Sequence, residues 1–156
     1  MKKQKFEVHR TTEGTAFEIA FVVLAVLVWI YVVMAYNQAP ETIPTHFGSS
    51  GAPDAFGHKS RMFFPCLLTS IVGVCMMAGA YFPHTINLPG VQMTNVRQAT
   101  LGVRMMRILG LLMLALSAAI AADTVRGHIL FVFLALAVLL IVCVVFIILM
   151  YRAKDE

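Results

Sequence analysis

Long apolar runs alternate with short polar joints along this chain. Ile19–Tyr36, Met62–Phe82 and Ile129–Met150 contain no charged side chain. Each approaches the ~20 residues that a helix needs to cross the hydrocarbon core of a bilayer. A further uncharged stretch, Ile108–Ala122, is too short to cross alone. Extended back to about Val103 it is long enough, but it then takes in Arg104 and Arg107, whose guanidinium groups can snorkel toward the headgroups. The pattern therefore predicts four helices at about 17–36, 62–82, 94–122 and 128–151, with Thr94 as the N-cap of the third. The first run is too long for the apolar part of a signal peptide, and Ala39-Pro40 is a poor cleavage site, so it reads as a retained helix.

Composition sharpens this picture. Only 13% of the residues are charged, against about a quarter in a soluble domain. The expected class is an all-α integral membrane protein: a four-helix transmembrane bundle forming one membrane domain over 1–156. The net charge of +4 does not imply nucleic acid, because the basic residues flank the apolar runs and so set orientation. Lys2, Lys3, Lys5, Arg10, Arg97, Arg104, Arg107, Arg152 and Lys154 would share one side. Lys59, Arg61 and Arg126 would lie on the other. The positive-inside rule then puts both termini and the loop 83–93 in the cytoplasm, and the loop 37–61 outside. The expected topology is multi-pass, with the N- and C-termini in the cytoplasm.

The spans carry little chemistry. Cys66, Cys75 and Cys143 lie in or beside apolar runs, form no CxxC pair, and read as small hydrophobes. The centres of the spans lack the ionisable residues of an ion-coupled carrier. Gly73, Gly79, Gly110, Ala115, Ala118, Ala119 and Ala122 supply small faces for close helix packing, within the chain or in a homo-oligomer. Arg97, Arg104 and Arg107 fall in one sector of the third helix, a cytoplasmic basic face for anionic lipids or an acidic regulator.

The outer loop 37–61 is long for a connector between helices. Pro40 ends the first helix, Pro44 keeps Ile43 extended, and Thr45-His46-Phe47 can continue that strand-like piece. Gly48-Ser49-Ser50-Gly51 reads as a turn, and Pro53-Asp54 as the start of another. Ile43, Phe47 and Phe56 need burial, which argues for an ordered cap on the helix ends. The series Pro40, Ile43-Pro44-Thr45-His46-Phe47, Gly51, Pro53-Asp54, Gly57 and Lys59 resembles the "IPxHF…G.PD…G.K" loop of a bacterial membrane family of unknown function. That module also stands at the N-terminus of SdpI-type immunity and signalling proteins. The resemblance covers about Phe17–Phe82, and the second half of the chain does not carry it.

The resemblance implies a non-enzymatic protein of the bacterial cytoplasmic (inner) membrane that recognises an external peptide toxin or a lipid through the loop, for protection or signalling. Pro44, His46, Phe47, Gly51, Pro53, Asp54, Gly57 and Lys59 would bind the ligand or shape the loop. No cofactor is implied. The partners would be membrane lipids, an external peptide or a cytoplasmic regulator. Two other readings stay open. His46, Asp54, His58 and His128 are a candidate metal set for a transport or metal-binding accessory protein, although His46-x7-Asp54-x3-His58 is no known ligand signature. An intramembrane enzyme is the remaining alternative, without any nucleophile elbow near Ser49 or Ser50. Asp54 is expected to bond its own turn or to pair with Lys59.

Overall fold

A computed structural model describes residues 11–83, 86 and 94–154. Four helices in it are long and apolar enough to cross a membrane. They are α1 (Thr12–Gln38), α2 (Phe63–Gly79, which with the 3-10 turn before it makes the span Lys59–Gly79), α3 (Val96–Arg126) and α4 (Leu130–Arg152). The protein is thus an all-α multi-pass membrane bundle, to which one β-hairpin is added. Of the loop expected at 83–93, all but 83 and 86 lies outside the described residues.

Local chemistry explains where the helices start and stop. Thr11 caps α1, its hydroxyl accepting from the Gly14 amide at 3.0 Å. Asn95, not Thr94, caps α3, because its carboxamide oxygen accepts from the Gln98 amide at 2.8 Å. Thr94 instead donates to Gln98 Oε1 through its amide and its hydroxyl. The third helix also outruns its expected end at Ala122. Gly127, at φ 70°, closes it in the left-handed conformation that glycine adopts without strain. The connection expected between the helices 94–122 and 128–151 is therefore mostly helix, and Asp123 lies in the last turn of α3.

Helix α3 is the hub. It packs on α1, α2 and α4, whereas α1 and α2 touch little and α4 rests almost wholly on α3. Helix α1 presents a narrow seam to the interior: Gly14, Phe21, Val28, Val32 and Ala35. Helix α2 presents Cys66, Ser70, Gly73 and Met77. These spacings of three, four and seven residues are those of helices packed at a shallow angle. The rest of each helix is apolar and exposed, the surface that lipid covers.

Helices α2 and α3 come close together where two glycines meet. A Cβ on Gly73 would lie 3.0 Å from the Gly110 carbonyl oxygen, and one on Gly110 would lie 3.1 Å from that of Gly73. The expected alanine face is less used, since Ala115 is exposed. One turn nearer the hairpin, the contact turns polar. Ser117 Oγ meets Thr69 Oγ1 at 2.6 Å and Ser70 Oγ at 3.1 Å, and Trp29 Nε1 donates to Ser70 Oγ at 3.2 Å. Every one of these groups finds its partner inside the protein, as an apolar solvent demands.

Side chains from α3 clamp both ends of α4. Gln98, 1% exposed, donates to the Met150 carbonyl at 3.0 Å, and Asn95 donates to that of Ala153 at 2.6 Å. At the other end Asp123 Oδ2 accepts from the Val132 amide at 2.8 Å. Ile129, at the N-cap position of α4, supplies no side-chain cap, so Asp123 does that work from the neighbouring helix.

Candidate functional site: the hairpin cleft

The loop expected to cap the bundle is a β-hairpin. Strands β1 (Thr42–Phe47) and β2 (Pro53–His58) pair antiparallel, with Thr42 opposite His58 and Phe47 opposite Pro53. The Gly48–Gly51 turn is present: the Gly51 amide donates to the Gly48 carbonyl at 2.9 Å, and Gly51 has φ 77°. Pro53-Asp54 does not start a second turn; it opens β2. The pleat explains a further difference. Ile43 and its partner Gly57 face inward, and Ile43 is 1% exposed. Neighbouring Phe56 therefore points away and is 60% exposed, against the expectation of burial.

The candidate polar residues of the loop tie it together in pairs. His46 Nδ1 lies 2.5 Å from Asp54 Oδ1 across the strands. Asp54 does not pair with Lys59. Lys59 Nζ meets Glu41 Oε1 at 2.9 Å and sits 5.0 Å from the centre of the Tyr36 ring. The Lys59 amide donates to the Glu41 carbonyl at 3.0 Å, so this contact pins the hairpin to the start of the second span. The hydrogen bond from Lys59, and then its charge, hold the Glu41 carboxyl below its usual range. His58 accepts from the Ser60 amide at 3.2 Å, capping the short 3-10 turn Lys59–Met62, and its Nε2 lies 3.3 Å from Glu41.

The candidate metal set is thus divided. His46 is with Asp54, His58 with Glu41 and Ser60, and His128 with Asp123. Among the described residues no three His, Cys, Asp or Glu side chains converge on one point.

The basic face is divided too. Arg97 and Arg104 are exposed, and Arg104 grips Glu13 of α1 through two bonds of 2.7 and 2.8 Å. Arg107 is buried, 4% exposed. Gly14 makes room for it, since a Cβ there would fall 2.6 Å from Arg107 Nη2. The three arginines do not form one surface, because Arg107 turns under α1 while Arg104 stays at its edge.

Beneath the hairpin a cleft of about 560 Å³ opens between β1 and the adjoining ends of α2, α3 and α4. Pro44 and Phe47 of the predicted residues line it, with Ile43 and Thr45. Phe64, Pro65, Ile120, Ile129 and Val132 make its other walls apolar. Two charged residues join them, Arg61 and Asp123. The Asp123 side chain is 3% exposed. His128 Nδ1 lies 2.8 Å from Asp123 Oδ1, but the contact is not aligned as a hydrogen bond, and this oxygen has no other donor. Arg61 is exposed, and its stem passes over Gly57, where a Cβ would fall 2.9 Å from Arg61 Cδ.

Neither charged residue was among the sequence candidates. A signal for Asp123 was present. With Gly127 read as the C-terminal glycine of α3, Asp123 sits in the last helical turn, where the helix dipole disfavours an anion. A residue that opposes its local setting is a marker of a site.

The model of a family described as a domain of unknown function (DUF1648) matches residues 23–69. The matched segment holds most of α1, the whole hairpin and the start of α2, and falls within the stretch Phe17–Phe82 over which the sequence resemblance runs. It includes Arg61 and ends before Asp123. A protein of Archaeoglobus fulgidus, described as uncharacterized, is 32% identical over 91 residues, an alignment covering 53% of this chain and 50% of that protein. The chain spans about half the length of this relative. No solved structure matches the chain.

Proposed function

We propose that the protein is a non-enzymatic ligand-recognition protein of the cytoplasmic membrane, and that its ligand is amphipathic and lies in the cleft under the hairpin. The observation that carries this reading is the cleft itself. Apolar walls close round a buried carboxylate, and a cation stands at the edge. Ligand sites have this character: mostly apolar, with a few placed polar groups. Lysine and arginine counts support an outer hairpin and cytoplasmic termini, so the ligand would arrive from outside. The SdpI-type resemblance of the hairpin segment supports protection or signalling as the consequence of occupancy.

The loop residues have a supporting role in this reading. His46–Asp54 and Glu41–Lys59 hold the hairpin over the cleft, and Pro44 and Phe47 present its inner surface. The test is to fill the space. Thr124 lines the cleft from α3, and Thr124→Trp places a large side chain in it. Native mass spectrometry of the purified protein should show wild type carrying amphipathic molecules that Thr124→Trp has lost. Equal cargo on both proteins would refute the reading. Expression in a sensitive host, challenged with secreted peptides, tests the consequence: protection should follow wild type and vanish with Thr124→Trp.

A further inference from the structure

We infer that Arg107, beneath the first turn of α1, holds the phosphate of an anionic phospholipid. The site lies at the end of the bundle away from the hairpin cleft and is independent of it.

The level of Arg107 in the bundle comes first. At about 1.5 Å per residue, α3 runs about 28 Å from Arg107 to Arg126. That is close to the roughly 30 Å hydrocarbon core, so Arg107 stands where the hydrocarbon meets the headgroups. Lipid phosphates lie in the same layer.

The charges then define the ligand. Arg107 is 4% exposed, and arginine stays charged wherever it is placed. A buried charge without a partner is costly. Among the described residues no hydrogen bond or ion pair reaches its guanidinium. The carboxylates of α1 are engaged elsewhere. Glu13 binds Arg104 through both oxygens, at 2.7 and 2.8 Å, and Glu18 accepts from the Tyr81 hydroxyl. Among the described residues the side-chain polar atoms sealed off without a partner are Asp123 Oδ1 and His128 Nδ1. The Arg107 nitrogens are not among them, so they keep accessible surface for an acceptor from outside the chain.

The guanidinium also has a fixed place. A Cβ on Gly14 would fall 2.6 Å from Nη2, 3.0 Å from Cζ and 3.2 Å from Nη1, so the whole group lies on the first turn of α1. That turn is the positive end of a 27-residue helix. Thr11 caps the Gly14 amide, and the amides of Thr12 and Glu13 have no intrahelical acceptor. A helix N-terminus and a guanidinium together favour phosphate, which the guanidinium can hold through two parallel bonds. A choline headgroup carries a cation beside its phosphate, which the helix dipole disfavours. A glycerol headgroup carries none.

Native mass spectrometry on the whole protein in mild detergent, offered phosphatidylglycerol or phosphatidylcholine with and without inorganic phosphate, tests this. Wild type should retain the glycerol lipid about tenfold better than the choline lipid, and inorganic phosphate should not displace it. Arg107→Gln should bring the two lipids to parity. Gly14→Ala keeps every charge but pushes the end of the Arg107 side chain aside, and should lower the preference several-fold. Arg152→Gln removes an exposed charge at the same end and should keep the preference, as should Thr124→Trp in the cleft. If Arg107→Gln does not fold, Gly14→Ala against Arg152→Gln decides. Equal retention of the two lipids by wild type would overturn the inference. So would a preference that Arg152→Gln abolishes as fully as Arg107→Gln, since that is bulk charge. Displacement of the lipid by inorganic phosphate would assign the site to a free anion and overturn the lipid.

Discussion

His46 and Asp54 meet at 2.5 Å, yet both side chains are more than half exposed. Water screens such a pair, and exposed ion pairs contribute about 1 kcal/mol or less. His46→Ala and Asp54→Ala should each lower thermal stability by no more than that, and the double variant should show a coupling of the same small size. Gly110 is a different case. The Gly73 carbonyl lies so close that a larger residue must push the helices apart, and overpacking costs about 1–3 kcal/mol. Gly110→Val should therefore lower the melting temperature in detergent clearly, whereas Ala115→Val, on the exposed side of the same helix, should leave it nearly unchanged. The contrast shows how far residues can be read from a sequence. Gly73 and Gly110 were legible as small residues in helices. That they face one another, and that Ala115 faces outward, depends on how α2 and α3 are rotated, and an all-apolar helix in lipid gives no polar face from which to read that rotation.

The hairpin and α4 depend on contacts of opposite kinds. The hairpin is pinned at its base by Glu41 and Lys59 in water. Glu41 has its carboxyl held below the ordinary 4.5 in the folded state by the Lys59 hydrogen bond and charge. A depressed carboxyl favours the folded form above the ordinary value, and that preference is lost as pH falls through the folded value. The NMR signal of the Lys59 amide should therefore shift as pH falls below about 4.5, and Glu41→Gln should lose that step. Helix α4 is held instead by buried groups, with Gln98 donating to the Met150 carbonyl. Gln98→Ala leaves that carbonyl without its donor and should cost about 2 kcal/mol, with faster amide exchange confined to the last turn of α4. Helices α1, α2 and α4 were legible from run length alone, because the bilayer demands it, and α3 only once Arg104 and Arg107 were allowed to snorkel. The hairpin was half legible: prolines and glycines marked an extended piece and a turn. The pairing of Glu41 with Lys59, and the start of β2 at Pro53, required knowing the register.

At the scale of the whole molecule, the hairpin, Arg61 and Asp123 all lie at one end of the bundle, and Glu13, Arg104 and Arg107 at the other. Which end faces outward decides whether the cleft can meet an external ligand. Among the described residues Arg97, Arg104, Arg107, Arg152 and Lys154 lie toward the end away from the hairpin, against Lys59, Arg61 and Arg126 near it, and we propose on that ground that the far end is cytoplasmic. Ser50 sits in the tip of the hairpin turn, exposed and away from every span, so a thiol there reports the side directly. The native Cys66, Cys75 and Cys143 all lie within α2 or α4, where a membrane-impermeant maleimide does not reach. Ser50→Cys should be labelled in intact cells without permeabilisation, and Lys154→Cys only after the membrane is opened. The reverse pattern would put the cleft in the cytoplasmic leaflet. The recognition of an external ligand would then fall, and an occupant of the cleft would come from the cytoplasmic side. The two cysteine variants therefore separate where the protein meets its ligand from what the ligand is.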